Sequence, residues 1–118
     1  IVRGWQGALG PLLARVVLVL GQAGTANEAA AAAALPVVAF EREADRRSSW
    51  YRRRQRGLLG EALAVLPARI DDAVRGVSEV LDDPVRREHM GATGRSRMGA
   101  PGASRRIAER IAEMTERS

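Results

Sequence analysis

Between the apolar run at residues 16–20 (VVLVL) and a block of alanines lies GQAGTANE, residues 21–28. Two glycines, a threonine and a glutamate at such a junction suit recognition of a phosphate with a neighbouring diol. Where a parallel strand feeds a helix, the turn sits at the carboxyl edge of the sheet, the place where open α/β folds bind ligands. The first N–H groups of the helix have no partners within it, and its dipole adds partial positive charge, so an anion is stabilised there. Gly21 and Gly24 lack a Cβ and can adopt positive φ, which lets the backbone approach a ligand. Thr25 can donate its hydroxyl to a phosphate oxygen. Glu28, one turn on, repels a phosphate but accepts hydrogen bonds from a ribose diol. The same letters also spell a capping box, in which Thr25 accepts from the N–H of Glu28 and Glu28 reaches back to Thr25. Both readings stand on local spacing.

Other residues with chemical potential read more simply. His89, the sole histidine, has no evident partner and is expected on an exposed helix face. The stretch GATG, residues 91–94, looks like a phosphate loop but follows no strand, so its context fails. Residues 42–56 hold seven arginines around Trp50 and Tyr51, a mixture found on surfaces that bind single-stranded nucleic acid. Glu41, Glu43 and Asp45 interrupt the positive charge, however, and a nucleic-acid binder concentrates one sign. A solvated helix face, with one arginine aimed at a diphosphate, is the expected reading, and no nucleic acid is expected as a partner. No cluster of Asp, Glu or His has metal-ligand spacing, and with no Cys there is neither a disulfide nor a thiolate ligand. No metal or cofactor is therefore expected. All 19 basic residues are Arg and the formal net charge is +5, which favours forked contacts to phosphate or carboxylate without naming the anion.

The elements that must position these groups follow from periodicity and punctuation. Residues 1–5 read as the tail of a strand, 7–10 as a loop and 11–15 (PLLAR) as a short helix opened by proline. Residues 16–20, apolar without alternation, read as a strand buried on both faces of a parallel sheet. A helix over 25–34 ends at Leu35-Pro36 because proline has no N–H and disfavours helical geometry before it. A strand at 37–40 completes a βαβ unit. A charged loop at 41–49, a helix within 50–59, a strand at 62–66 and an amphipathic helix over 70–81 follow. Pro84 restarts a helix, GAPG at 99–102 turns the chain, and a last helix over 104–114 is expected to bury Ile107, Ala108, Ile111 and Met114. The fold class is α/β, a Rossmann-like parallel sheet flanked by helices with a helical C-terminal tail. Residues 1–99 form the sheet domain, expected to be incomplete at its N-terminus, and 100–118 the terminal helix. No apolar run approaches the roughly 20 residues a helix needs to span a bilayer.

The ordered features GTANE, the alanine-rich helix, LPVV, RQRGLLG and the tail DDPVRREHMGATGRSRMGAPGASRRIAERI together resemble the C-terminal half of bacterial two-domain sugar-nucleotide glycosyltransferases of the GT-B fold. The closest resemblance is to the lipid-A-disaccharide synthase-related group; the peptidoglycan lipid-intermediate N-acetylglucosaminyltransferase is a more distant one. It covers residues 15–115. It implies a half that binds the nucleotide diphosphate of a sugar donor, with UDP the expected nucleotide and the base otherwise open, while a separate N-terminal half binds a lipid-linked acceptor at the cytoplasmic face of the plasma membrane. Carried over, Gly24 and Thr25 sit against the diphosphate, Glu28 holds the ribose hydroxyls and Gln55 faces the donor sugar. The loop EREADRRSSWYRRRQ departs from the peptidoglycan enzyme's pattern, which leaves the sugar open. A sugar-nucleotide epimerase shares this donor-binding half and is the alternative enzyme; a non-catalytic basic module binding nucleic acid or an acidic partner is the alternative outside enzymes.

Overall fold

The computed structural model describes residues 1–22, 24–42 and 46–118, the side chains of 46–49 excepted. Its centre is strand β2 (Val37–Glu41), flanked by β1 (Val19–Leu20) and β3 (Leu63–Pro67) in a parallel sheet of order β1-β2-β3. The register pairs Val19 with Val37 and, on the other side, runs from Val37–Leu63 to Glu41–Pro67. Helices α2 (Thr25–Ala32) and α3 (Arg46–Leu59) make the two crossovers, and a single 3₁₀ turn (Gly60–Ala62) leads from α3 into β3. A short α1 (Leu9–Leu13) precedes the sheet; α4 (Ile70–Asp82), α5 (Pro84–Met98) and α6 (Ala103–Glu116) follow it.

Strand β2 explains the two cores. Side chains alternate across a strand, so Val37 and Ala39 join Ala30, Ala31, Leu59 and Leu63 on one face, while Val38 meets Val80 and Met90 on the other. A central parallel strand covered on both faces has no polar position to offer, which is why VVAF is apolar throughout. The alanines of α2 let that helix lie close to the sheet, with Ala30 and Ala31 fully buried.

Several expectations are corrected. Residues 1–5 form no strand and are exposed. The first helix begins at Leu9 instead of residue 11, taking in part of the expected loop. Of residues 16–20 only Val19 and Leu20 pair, and Val17 and Leu20 are 61% and 56% exposed. This is a short edge strand, because β2 offers a partner to two residues and no further strand flanks it among the described residues. The loop expected at 41–49 is shorter, since β2 continues to Glu41 and α3 starts at Arg46, while residues 43–45 lie outside the described residues.

Helix α4 docks through a narrower seam than its apolar face suggests. A Cβ at Gly76 would lie 2.6 Å from a Leu66 methyl, so the missing side chain brings the helix onto β3 beside Val77 and Val80. Ile70, Val74 and Leu81 are left exposed. In α6 no residue is buried, and Ile107, Ile111 and Met114 face solvent at about 60% exposure, which overturns the expectation that they are covered.

The end of α2 carries one strained residue. Ala34 has φ 60° while the N–H of Leu35 reaches back to the Ala30 carbonyl at 3.0 Å, the six-to-one bond of a Schellman cap. Alanine in this left-handed position is disfavoured by about 1–2 kcal/mol. Ala34→Gly is therefore expected to raise stability by about 1 kcal/mol, measured by urea denaturation, despite the greater freedom glycine brings to the unfolded chain.

Candidate functional site

The α2 terminus lies at the carboxyl edge of the sheet, as the βαβ order requires. Gly24 is its N-cap, with φ 95° and ψ −170°, a conformation open to glycine and closed to residues with a Cβ. No side chain caps the helix. The capping box expected from Thr25 and Glu28 therefore does not form, because Thr25 is already the first helical residue, one place too late for its hydroxyl to receive the N–H of Glu28. Among the described residues, the N–H groups of Thr25 and Ala26 meet no acceptor, whereas that of Asn27 bonds the Gly24 carbonyl at 3.1 Å.

What holds this turn is a polar lock between α2 and α3. Asn27 is fully buried; its amide donates to the Gly21 carbonyl at 3.2 Å and to Gln55 Oε1 at 2.9 Å. Gln55 in turn donates to the Gly24 carbonyl at 3.4 Å. Gly21 has a packing reason: a Cβ there would lie 1.8 Å from Asn27 Oδ1. A second tie joins the strand ends, where the Gln22 carbonyl oxygen Oε1 accepts from the Phe40 N–H at 3.1 Å and from Arg52 at 3.0 Å, and Arg52 also donates to the Phe40 carbonyl at 3.1 Å. Arg52 is only 3% exposed.

Above the lock opens a cleft of about 480 Å³ lined by Gly24, Glu28, Trp50, Tyr51, Arg54, Gln55 and Leu58. Three of the four residues expected to bind a donor, Gly24, Glu28 and Gln55, thus meet in one cleft; Thr25 is exposed beside it. The arginine-rich helix also brings one arginine, Arg54, to the cleft lining. Its guanidinium stacks over Trp50 at 5.7 Å from the ring centroid, with no carboxylate in ion-pair range among the described residues. Gln55, however, spends its amide on Asn27 and Gly24, so it supports the turn.

Asn27, Gln22 and Arg52 escaped the sequence reading. Asn27 carried a signal nonetheless: an amide two residues before an alanine block has poor helix propensity, and it is justified when its side chain faces inward to partners. Gln22 and Arg52 carried none, since their bonds cross 30 residues of chain.

The remaining candidates resolve structurally. His89 does have a partner, Glu61, at 2.7 Å, with both side chains exposed, and this contact ties α5 to the 3₁₀ turn. GATG lies inside α5. A second cleft of about 450 Å³, lined by Gln22, Phe40, Arg42, Ala68, Arg69, Ile70 and Ala73, opens at the carboxyl ends of β2 and β3. Among the described residues no group of three His, Cys, Asp or Glu could hold a metal ion, and no helix is long and apolar enough to cross a membrane.

Comparison with protein-family models, with curated proteins and with solved structures finds no match to this chain.

Proposed function

We propose that this chain is part of the donor-binding half of a GT-B type glycosyltransferase, holding a nucleotide diphosphate sugar, of the UDP-N-acetylglucosamine kind, for transfer to a lipid-linked acceptor carried by a separate half. The observation that carries it is the α2 terminus: a glycine N-cap without a side-chain cap, opening into one cleft with Glu28 and Arg54. The diphosphate lies against the N–H groups of Thr25 and Ala26, and the ribose hydroxyls donate to the Glu28 carboxylate. When the bond from the anomeric carbon to the diphosphate breaks, negative charge grows on the departing phosphate. The helix end and the Arg54 guanidinium, fixed before the reaction, stabilise that charge most as it forms. A base for the acceptor hydroxyl belongs to the other half. Donor binding at the inner face of the plasma membrane is part of the same proposal.

Calorimetric titration of UDP and UDP-N-acetylglucosamine into the chain and into Glu28→Ala tests this. Hydrogen bonds to a charged group contribute about 1.5–3 kcal/mol, so the variant should bind roughly tenfold to a hundredfold more weakly. Its melting temperature should stay close to the parent's, because no cap is lost. Absence of binding by the parent chain refutes the proposal, as does salt-steep binding of any polyanion regardless of base or sugar.

A further inference from the structure

The exposed aromatic pair at the top of the cleft is unexplained by phosphate or ribose binding. Trp50 and Tyr51 are 55% and 53% exposed, and their rings meet edge to face at 79° with centroids 5.0 Å apart. The sequence placed them on a solvated face, yet both line the cleft with Gly24 and Glu28.

Their height above the helix end follows from connectivity. Helix α3 leaves β2 at the carboxyl edge and descends to β3, and Gln55 lies beside the first turn of α2 through its hydrogen bonds to Gly24 and to Asn27. At about 1.5 Å per residue, Trp50, five residues earlier in α3, stands about 7 Å above the level of Gln55, on the side of the α2 terminus. Glu28 lies on the opposite side, about 6 Å further down α2 by the same rise. A ligand with its ribose at Glu28 and its diphosphate at Gly24 therefore extends its far end, the sugar to be transferred, toward Trp50 and Tyr51, with Arg54 beside the diphosphate.

The ring geometry favours the same part of the ligand. A flat base is held best between parallel faces, whereas two perpendicular rings make a corner. The C–H face of a pyranose, slightly positive, suits the negative face of an aromatic ring, and its rim of hydroxyls stays toward solvent. We infer that Trp50 and Tyr51 form the platform that binds and orients the pyranose ring of the donor, and that they set which sugar is accepted. This inference rests on the proposed function.

The test compares UDP with UDP-N-acetylglucosamine and UDP-glucose by calorimetry in the parent chain, Trp50→Ala, Tyr51→Ala and the conservative Trp50→Phe. The expected result is that either alanine variant weakens the two nucleotide sugars about tenfold and leaves UDP unchanged, with Trp50→Phe recovering most of the loss. Equal loss for UDP and its sugars overturns the inference and gives the platform to the base. No change for any ligand overturns it while leaving the donor site intact, and a parent chain that binds none of the three removes both.

Discussion

Gly91→Ala is expected to destabilise the protein, reversing the usual benefit of alanine over glycine inside a helix. In a helix interior that exchange ordinarily gains about 0.5–1 kcal/mol. Here α5 crosses the end of α2 so closely that a Cβ at Gly91 would stand 2.2 Å from the Ala34 carbonyl oxygen, and one at Gly94 would stand 2.8 Å from that of Ala31. The obstacle is backbone, so no rotamer change relieves it, and overpacking of this kind is destabilising by about 1–3 kcal/mol. Thermal melts should show a fall of several degrees, since each kcal/mol shifts the midpoint by roughly 3–6 °C at this size. The neighbouring exposed Ala92→Gly serves as control. A Gly91→Ala midpoint equal to or above the parent's would mean that the two helices do not meet in this way.

Asn27→Ala should be the more damaging change, because it removes one donor from two acceptors. The Gly21 carbonyl and Gln55 Oε1 would both lose the Asn27 amide; a buried acceptor left unpaired is destabilising by about 1–3 kcal/mol, which applies in full to the Gln55 oxygen and less to the partly buried Gly21 carbonyl. Asn27→Asp keeps the shape and is expected to do at least as much harm near neutral pH, since a carboxylate cannot donate. Urea denaturation measures both. UDP affinity should fall with them, because a released Gln55 no longer holds the Gly24 carbonyl that shapes the turn. Retained stability in Asn27→Ala would show that the lock between α2 and α3 is absent.

Much of the framework is written in the sequence itself. The order strand, helix, strand, helix, strand follows from unbroken apolar runs and from proline, both of which act through the backbone of neighbouring residues. The helix over Ile70–Asp82 follows from its 3.6-residue repeat, and the start of α5 from Pro84 at its first turn. Gly24 and Glu28 could be singled out because a glycine turn before a helix determines its own local chemistry.

What escaped has a common physical cause. An apolar stripe reveals which face of a helix avoids water, but whether anything covers that face depends on residues far away. The stripe of α6 and most of that of α4 are therefore exposed in spite of their pattern. Likewise, apolar residues 16–20 look like a central strand, and only the two-residue register with β2 reveals an edge. GATG resembles a phosphate loop only in its letters; its glycines are there because the end of another helix passes within contact distance. Gln55 reads as a ligand-facing amide until Asn27, 28 residues away, occupies its oxygen, and Trp50 and Tyr51 become cleft walls only through the placement of α3 beside α2. Local chemistry along the chain settles the order of the central strands and helices and the glycine turn; edges, covered faces and the partners of buried amides are settled by packing, because those contacts join segments that the chain keeps apart.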